Sequence, residues 1–88
     1  MTPLYDVLTR AGLDELESKT YTTLLSNGAL TILDLSKKSG LKRTNLYNVL
    51  VALEKYGLVT KITENKKAKY FPNDPRHVQE LLKQQENN

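Results

Sequence analysis

The chain has 88 residues, 39% hydrophobic and 26% charged, with a formal net charge of +3. That length suits a single domain, residues 1–88, whose core buries roughly 60–65% of the unfolded surface, and the proportions are those of an ordinary soluble domain. The absence of cysteine excludes disulfides and thiolate metal sites, and no apolar run approaches ~18 residues, so neither a signal peptide nor a membrane span is expected and a cytoplasmic location is.

Thr2-Pro3 opens the chain, and Pro suits a first helical turn. Leu4, Val7, Leu8 and Ala11 repeat at helical spacing up to Gly12, which predicts a short helix that must dock on another element. Asp14, Glu15 and Glu17 then give an acid-rich start, favourable at the positive end of a helix dipole. Leu13, Leu16, Thr20/Tyr21 and Leu24/Leu25 track one face, and Asn27-Gly28 ends it; a helix is expected over about 15–26. Ala29-Leu30 reads as an extended link. Thr31 is a good N-cap, Asp34 stands at the third helical position, and Gly40 stops this two-turn helix after Lys37 and Lys38. Leu46, Val49/Leu50 and Leu53 form the apolar stripe of the next helix, predicted over about 43–55, whose opposite face presents Thr44, Tyr47, Asn48 and Val51.

The pattern changes at Leu58. Residues 58–63 favour strand, Glu64-Asn65-Lys66-Lys67 is a polar turn, and Lys69-Tyr70-Phe71 resumes the strand, so a hairpin with a four-to-six-residue turn is expected over about 58–71. Asn73-Asp74-Pro75 signals a turn and helix start, with Asp74 as cap. Val78, Leu81 and Leu82 mark a last helix. The expected fold is mainly α with a small β-hairpin: a winged helix-turn-helix with additional N- and C-terminal helices.

Charge is unevenly spread along this order. Residues 1–41 carry four bases and five acids, residues 42–73 seven bases and two acids, and residues 74–88 two bases and three acids. The middle third is therefore +5 between flanks of −1, and a polyanion facing it would be attracted. Two helices joined by Ser39-Gly40-Leu41 and followed at once by a basic hairpin are a specific arrangement, with Gly40 supplying the left-handed turn and Leu41 plugging the junction. The second helix of such a motif enters the major groove of double-stranded DNA, and its N-terminal residues meet base edges. Lys42, Arg43, Thr44 and Asn45 stand there, with Tyr47 and Asn48 one turn on. Arg43 suits guanine, Asn45 or Asn48 adenine, and Thr44 a phosphate or a thymine methyl. Two bases opening a helix oppose its dipole, which points to an external anion. Lys66, Lys67 and Lys69 lie on or beside the wing turn, with Lys61 on its first strand, and lysines there can track a phosphate backbone or reach towards the minor groove; protection of an exposed strand edge is the other use of such lysines, and that alone can account for Lys61 and Lys69.

No catalytic, metal or cofactor site is expected. His77 is the sole histidine. Asp14, Glu15 and Glu17 are explained as an acidic first turn. Ser36 and Ser39 lack a base at a credible position, and Gly28 and Gly40 make no phosphate loop. A winged-helix protein-interaction adaptor is the alternative to DNA binding, and would need an exposed apolar patch in place of a basic face.

The stretches Gly12-Leu13 to Tyr21, Thr31 to Gly40, Lys42-Arg43-Thr44-Asn45-Leu46-Tyr47-Asn48-Val49-Leu50 and Leu53-Glu54-Lys55-Tyr56-Gly57-Leu58-Val59 resemble the TrmB-type transcriptional regulators. Tyr21, Gly40, Arg43, Tyr47, Leu50, Leu53, Gly57 and Val59 fit that pattern, over about residues 12 to 75. The resemblance implies a transcription factor whose winged domain binds operator DNA as a homodimer, with Arg43, Thr44, Tyr47 and Asn48 in the recognition role. Lys42 stands where the family usually has Pro. Larger members carry a sugar-binding effector domain; no small-molecule effector domain is expected in this chain. The terminal helices, about 4–11 and 75–85, are the expected dimer contacts.

Overall fold

The computed structural model describes residues 8–74 and residue 76. Residues 8–10 are helical. There follow α1 (Glu15–Asn27), β1 (Leu30–Thr31), α2 (Ile32–Ser39), α3 (Arg43–Lys55), β2 (Val59–Glu64) and β3 (Lys67–Pro72). The expected N-terminal helix over about 4–11 lies outside the described residues up to residue 7, and at Ala11 the chain is already in a turn. The expected C-terminal helix lies outside them too, except that Asp74 accepts a hydrogen bond from the backbone N–H of Arg76 at 2.9 Å, as a cap would.

Local chemistry sets the helix ends. Asp14 accepts from the N–H of Glu17 at 2.8 Å and Glu17 accepts from the N–H of Asp14 at 2.9 Å. This reciprocal capping box satisfies two otherwise orphaned donors. It also draws Glu17 into the interior, so α1 buries Glu17, Thr20, Tyr21 and Leu24 at i, i+3, i+4 and i+7, with Ser18 beside them. Leu16, expected on that face, is exposed instead. Thr31 caps α2 through the N–H of Asp34 at 3.3 Å. α3 ends at Gly57, whose φ of 79° allows a double closure: its N–H donates to Glu54 and the N–H of Leu58 to Leu53. The two bonds form a Schellman motif, and the buried pair Leu53 and Leu58 supplies its hydrophobic contact.

The sheet has the order β1-β3-β2 and is antiparallel. β1 was expected to be only a link. Two residues carry no periodicity of their own; Leu30 and Thr31 become a strand because they pair with Tyr70 and Lys69. The hairpin turn is also tighter than expected. Glu64 and Lys67 pair across the ladder, which leaves only Asn65 and Lys66 in the turn. Both have positive φ, 51° and 65°, as a type I′ turn requires.

The core forms where α1, α2 and α3 meet the inner side of the sheet. Tyr21, Leu24, Leu35, Leu46, Leu50, Leu53 and Leu58 are essentially inaccessible, and Val59 and Tyr70 close it from the strands. Three helices with a three-stranded wing constitute a winged helix-turn-helix, the fold expected from the sequence.

Candidate nucleic-acid interface

The helix-turn-helix joint is held by the chain itself. Gly40 adopts the left-handed conformation, φ 76° and ψ 8°. Ser36 Oγ donates to the carbonyl of Leu41 at 2.6 Å, and the N–H of Leu41 donates to Ser39 Oγ at 3.2 Å. Leu41 packs against the core. The two serines that lack a catalytic partner in the sequence thus fix the angle between α2 and α3.

That joint leaves one face of α3 uncovered. Leu46, Val49, Leu50 and Leu53 are buried, while Arg43, Thr44, Asn45, Tyr47, Asn48 and Val51 are exposed. Tyr47 and Val51 keep 52% and 51% of their surface in solvent, a high fraction for apolar bodies on an otherwise well-packed helix. α3 also begins differently from its neighbours. α1 has Glu15 and Glu17 in its first turn and α2 has Asp34, whereas α3 has no acid there, and its N-cap, Lys42, makes no side-chain capping bond. Arg43 follows, so the positive end of this helix dipole is reinforced by basic side chains.

The remaining sequence-predicted residues fall into place by register. Strand side chains alternate between faces, and Tyr70 is buried, which identifies the inner face. Lys61 pairs with Tyr70 and so shares that face; Ile62, Glu64, Lys67, Lys69 and Phe71 belong to the outer one. Lys66 is at the turn. The inner face borders a groove between the wing and α3, walled by Ile32, Leu33, Tyr47, Lys61, Lys67 and Ala68. The outer face carries a separate groove bounded by Ile62, Glu64, Lys67, Lys69 and Phe71. On the other flank of α3, Asn45 and Asn48 meet Asp14, Leu16 and Glu17 in a third depression. The structure therefore joins Tyr47 to Lys61, leaves Lys67 bordering both wing grooves, places Lys69 on the outer face, and sets Asn45 and Asn48 beside the acidic start of α1.

Sequence reasoning offered Lys61 only as a wing lysine on the first strand and did not single out Leu33. Leu33, 49% exposed, lies off the buried stripe of α2. The period-two alternation from Tyr70 was the signal available for Lys61. Two tyrosines near the site have pKa values raised above the ordinary one. Burial, then the charges of the Glu54 carboxylate and the Tyr47 phenolate, raise the pKa of Tyr70. Burial and the carboxylates of Glu17 and Asp14 raise that of Tyr56. Among the described residues no cluster of three or more His, Asp or Glu could hold a metal ion, and no helix is long and apolar enough to cross a membrane.

Comparison with known proteins gives this geometry a family. The model for TrmB, a sugar-specific transcriptional regulator, matches residues 8–76. The chain is 35% identical over 77 residues to the HTH-type sugar sensing transcriptional regulator TrmBL1 of Pyrococcus furiosus, a match covering 88% of this chain and 22% of that protein. Among solved structures it is similar to TrmBL2, an archaeal chromatin protein described with a novel mode of DNA binding, at a TM-score of 0.78 and 28% identity, over 96% of this chain and 32% of that one. A MarR-family transcriptional regulator from Silicibacter pomeroyi shares the fold, with a TM-score of 0.74 and 20% identity over 92% of this chain and 57% of its own. The chain spans about a fifth of the curated relative and a third of the TrmBL2 chain. By the extent of the family match and by the helix-turn-helix and wing that carry it, the chain belongs to the TrmB family of transcriptional regulators.

Proposed function

We propose that this chain binds double-stranded DNA sequence-specifically as the DNA-binding part of a transcriptional regulator, with α3 in the major groove and the wing on the phosphate backbone. The observation that carries this reading is the uncovered face of α3, which begins with two bases and no acid and stands beside a lysine-bearing hairpin. In this reading Arg43 and Asn48 meet base edges, Thr44 and Val51 reach phosphate or methyl groups, and Lys42, Lys66 and Lys67 contact phosphates. Asn45, on the same flank as Asn48 towards Asp14 and Glu17, is the alternative contact to adenine. The similarity to the transcriptional regulator TrmBL1 and the DNA binding described for TrmBL2 support the assignment.

The protein acts in this proposal as a cytoplasmic homodimer. Val78, Leu81 and Leu82, with the N-terminal apolar positions, supply the contact, and two recognition helices then address half-sites about one helical turn apart. Sedimentation at micromolar concentration is expected to give a dimer; a monomer would contradict this part. A gel-shift titration on mixed-sequence duplex DNA tests the binding itself. Retardation is expected at 50 mM salt and is expected to weaken steeply as salt rises. No retardation at 50 mM would refute the proposal.

A further inference from the structure

The two grooves on either side of the wing differ in what they can accept. Lys67 borders both; the inner one adds Lys61 and no carboxylate, and its walls are the apolar bodies of Ile32, Leu33 and Tyr47. The outer one contains Glu64 as well as Lys67 and Lys69. A phosphodiester approaching the inner groove meets Lys61 and no carboxylate; one approaching the outer groove meets Glu64 as well as Lys69. Leu33 is exposed at the start of α2, on the same side as Tyr47, where a deoxyribose can rest on apolar surface while its phosphate faces the lysines.

We infer that the inner groove seats one segment of the DNA sugar-phosphate backbone, with Lys61 as a phosphate-binding residue and Leu33 as an apolar wall, and that Lys69 lies outside the contact. This rests on the DNA-binding proposal and adds an assignment to it. Lys61 and Lys69 occupy neighbouring strands one residue out of step: Lys61 pairs with Tyr70, and Lys69 with Ile62. They carry the same charge, and both are exposed. Their separate faces are what distinguishes them, so removing either changes the overall field of the protein alike and only a direct contact can separate the two.

The test is a salt titration of duplex binding with the full chain and the variants Lys61→Ala and Lys69→Ala, each first checked for an unchanged thermal transition. The slope of log affinity against log salt is expected to fall by about 0.9 for Lys61→Ala, the value of one lost phosphate, and to stay at the wild-type value for Lys69→Ala. A second pair moves a carboxylate to each face: Leu33→Glu is expected to weaken binding at least ~10-fold, and Ile62→Glu by much less. Wild-type slope in Lys61→Ala, or equal losses in Lys61→Ala and Lys69→Ala, would overturn the inference while leaving DNA binding intact. Failure of the wild-type chain to bind duplex at all would overturn both.

Discussion

Asn73 ties more of the fold together than any other single polar residue described. Its N–H donates to Leu58 at 2.8 Å, its side-chain amide donates to the carbonyl of Gly57 at 2.8 Å, and its side-chain oxygen accepts from Thr60. Its carbonyl accepts from the hydroxyl of Tyr21 at 2.8 Å. The base of the wing is thereby fastened to α1 and to the end of α3. Asn73→Ala is expected to cost about 1–3 kcal/mol in urea denaturation, because it leaves the carbonyl of Gly57 without that donor; Thr60→Val, which removes one exposed bond, is expected to cost less than ~1 kcal/mol. In the sequence Asn73 was legible only as part of a turn signal. Its partners lie as far as 52 positions away, and no local pattern announces them. Tyr21 was legible as a core residue but not as a donor. Its pKa is pushed up to about 12 by burial and then by the carboxylate of Asp74. A folded-state pKa above the ordinary value of 10 means a stabilising contribution intact below pH 10 and lost as pH rises towards 12. Tyr21→Phe is expected to be less stable at neutral pH and to lose less stability between pH 10 and 12 than the wild type, as followed by circular dichroism. Tyr56 and Tyr70, also raised, keep a residual slope of the same sign.

At the scale of elements, the turns decide where side chains point. Gly40 has nothing within 4 Å of the position a Cβ would take. The penalty for Gly40→Ala is therefore conformational, expected at about 1–2 kcal/mol in a thermal melt, with no steric component. The wing tip makes a different trade. Lys66 holds φ at 65° although it has a Cβ, and Asn-Gly is the preferred pair for such a turn. Lys66→Gly is expected to stabilise the hairpin by up to ~1 kcal/mol and, by removing a phosphate contact, to weaken DNA binding. Stability and affinity moving together would contradict that. The helices were legible because 3.6-residue periodicity, caps and stopping glycines agreed over each of them. The strands were less so: β1 exists only through its pairing with β3, and the tight turn depends on two residues accepting positive φ, which Asn65 suggests and Lys66 does not. The exposed position of Leu16 was hidden for a related reason, since the capping box rotates α1 to bury Glu17.

Across the whole molecule, apolar packing and exposed positive charge are kept apart. Apolar stripes of three helices converge on the sheet, and the basic side chains of residues 42–73 lie on the surface left over. Charge distribution and helix order made this legible in outline. The assignment of individual lysines was not legible, because it depends on strand register, which differs by one residue between a side chain that faces α3 and one that faces away. The central claim is that the outward face of α3 reads base sequence while the wing supplies affinity without reading it. Selection of bound duplexes from a random pool, repeated with Arg43→Ala and Lys67→Ala, tests that division most directly. Arg43→Ala is expected to lose discrimination at one base position by about 1–3 kcal/mol, and Lys67→Ala to weaken all duplexes alike with the preferred sequence unchanged. Equal, sequence-independent losses in both variants would contradict the account.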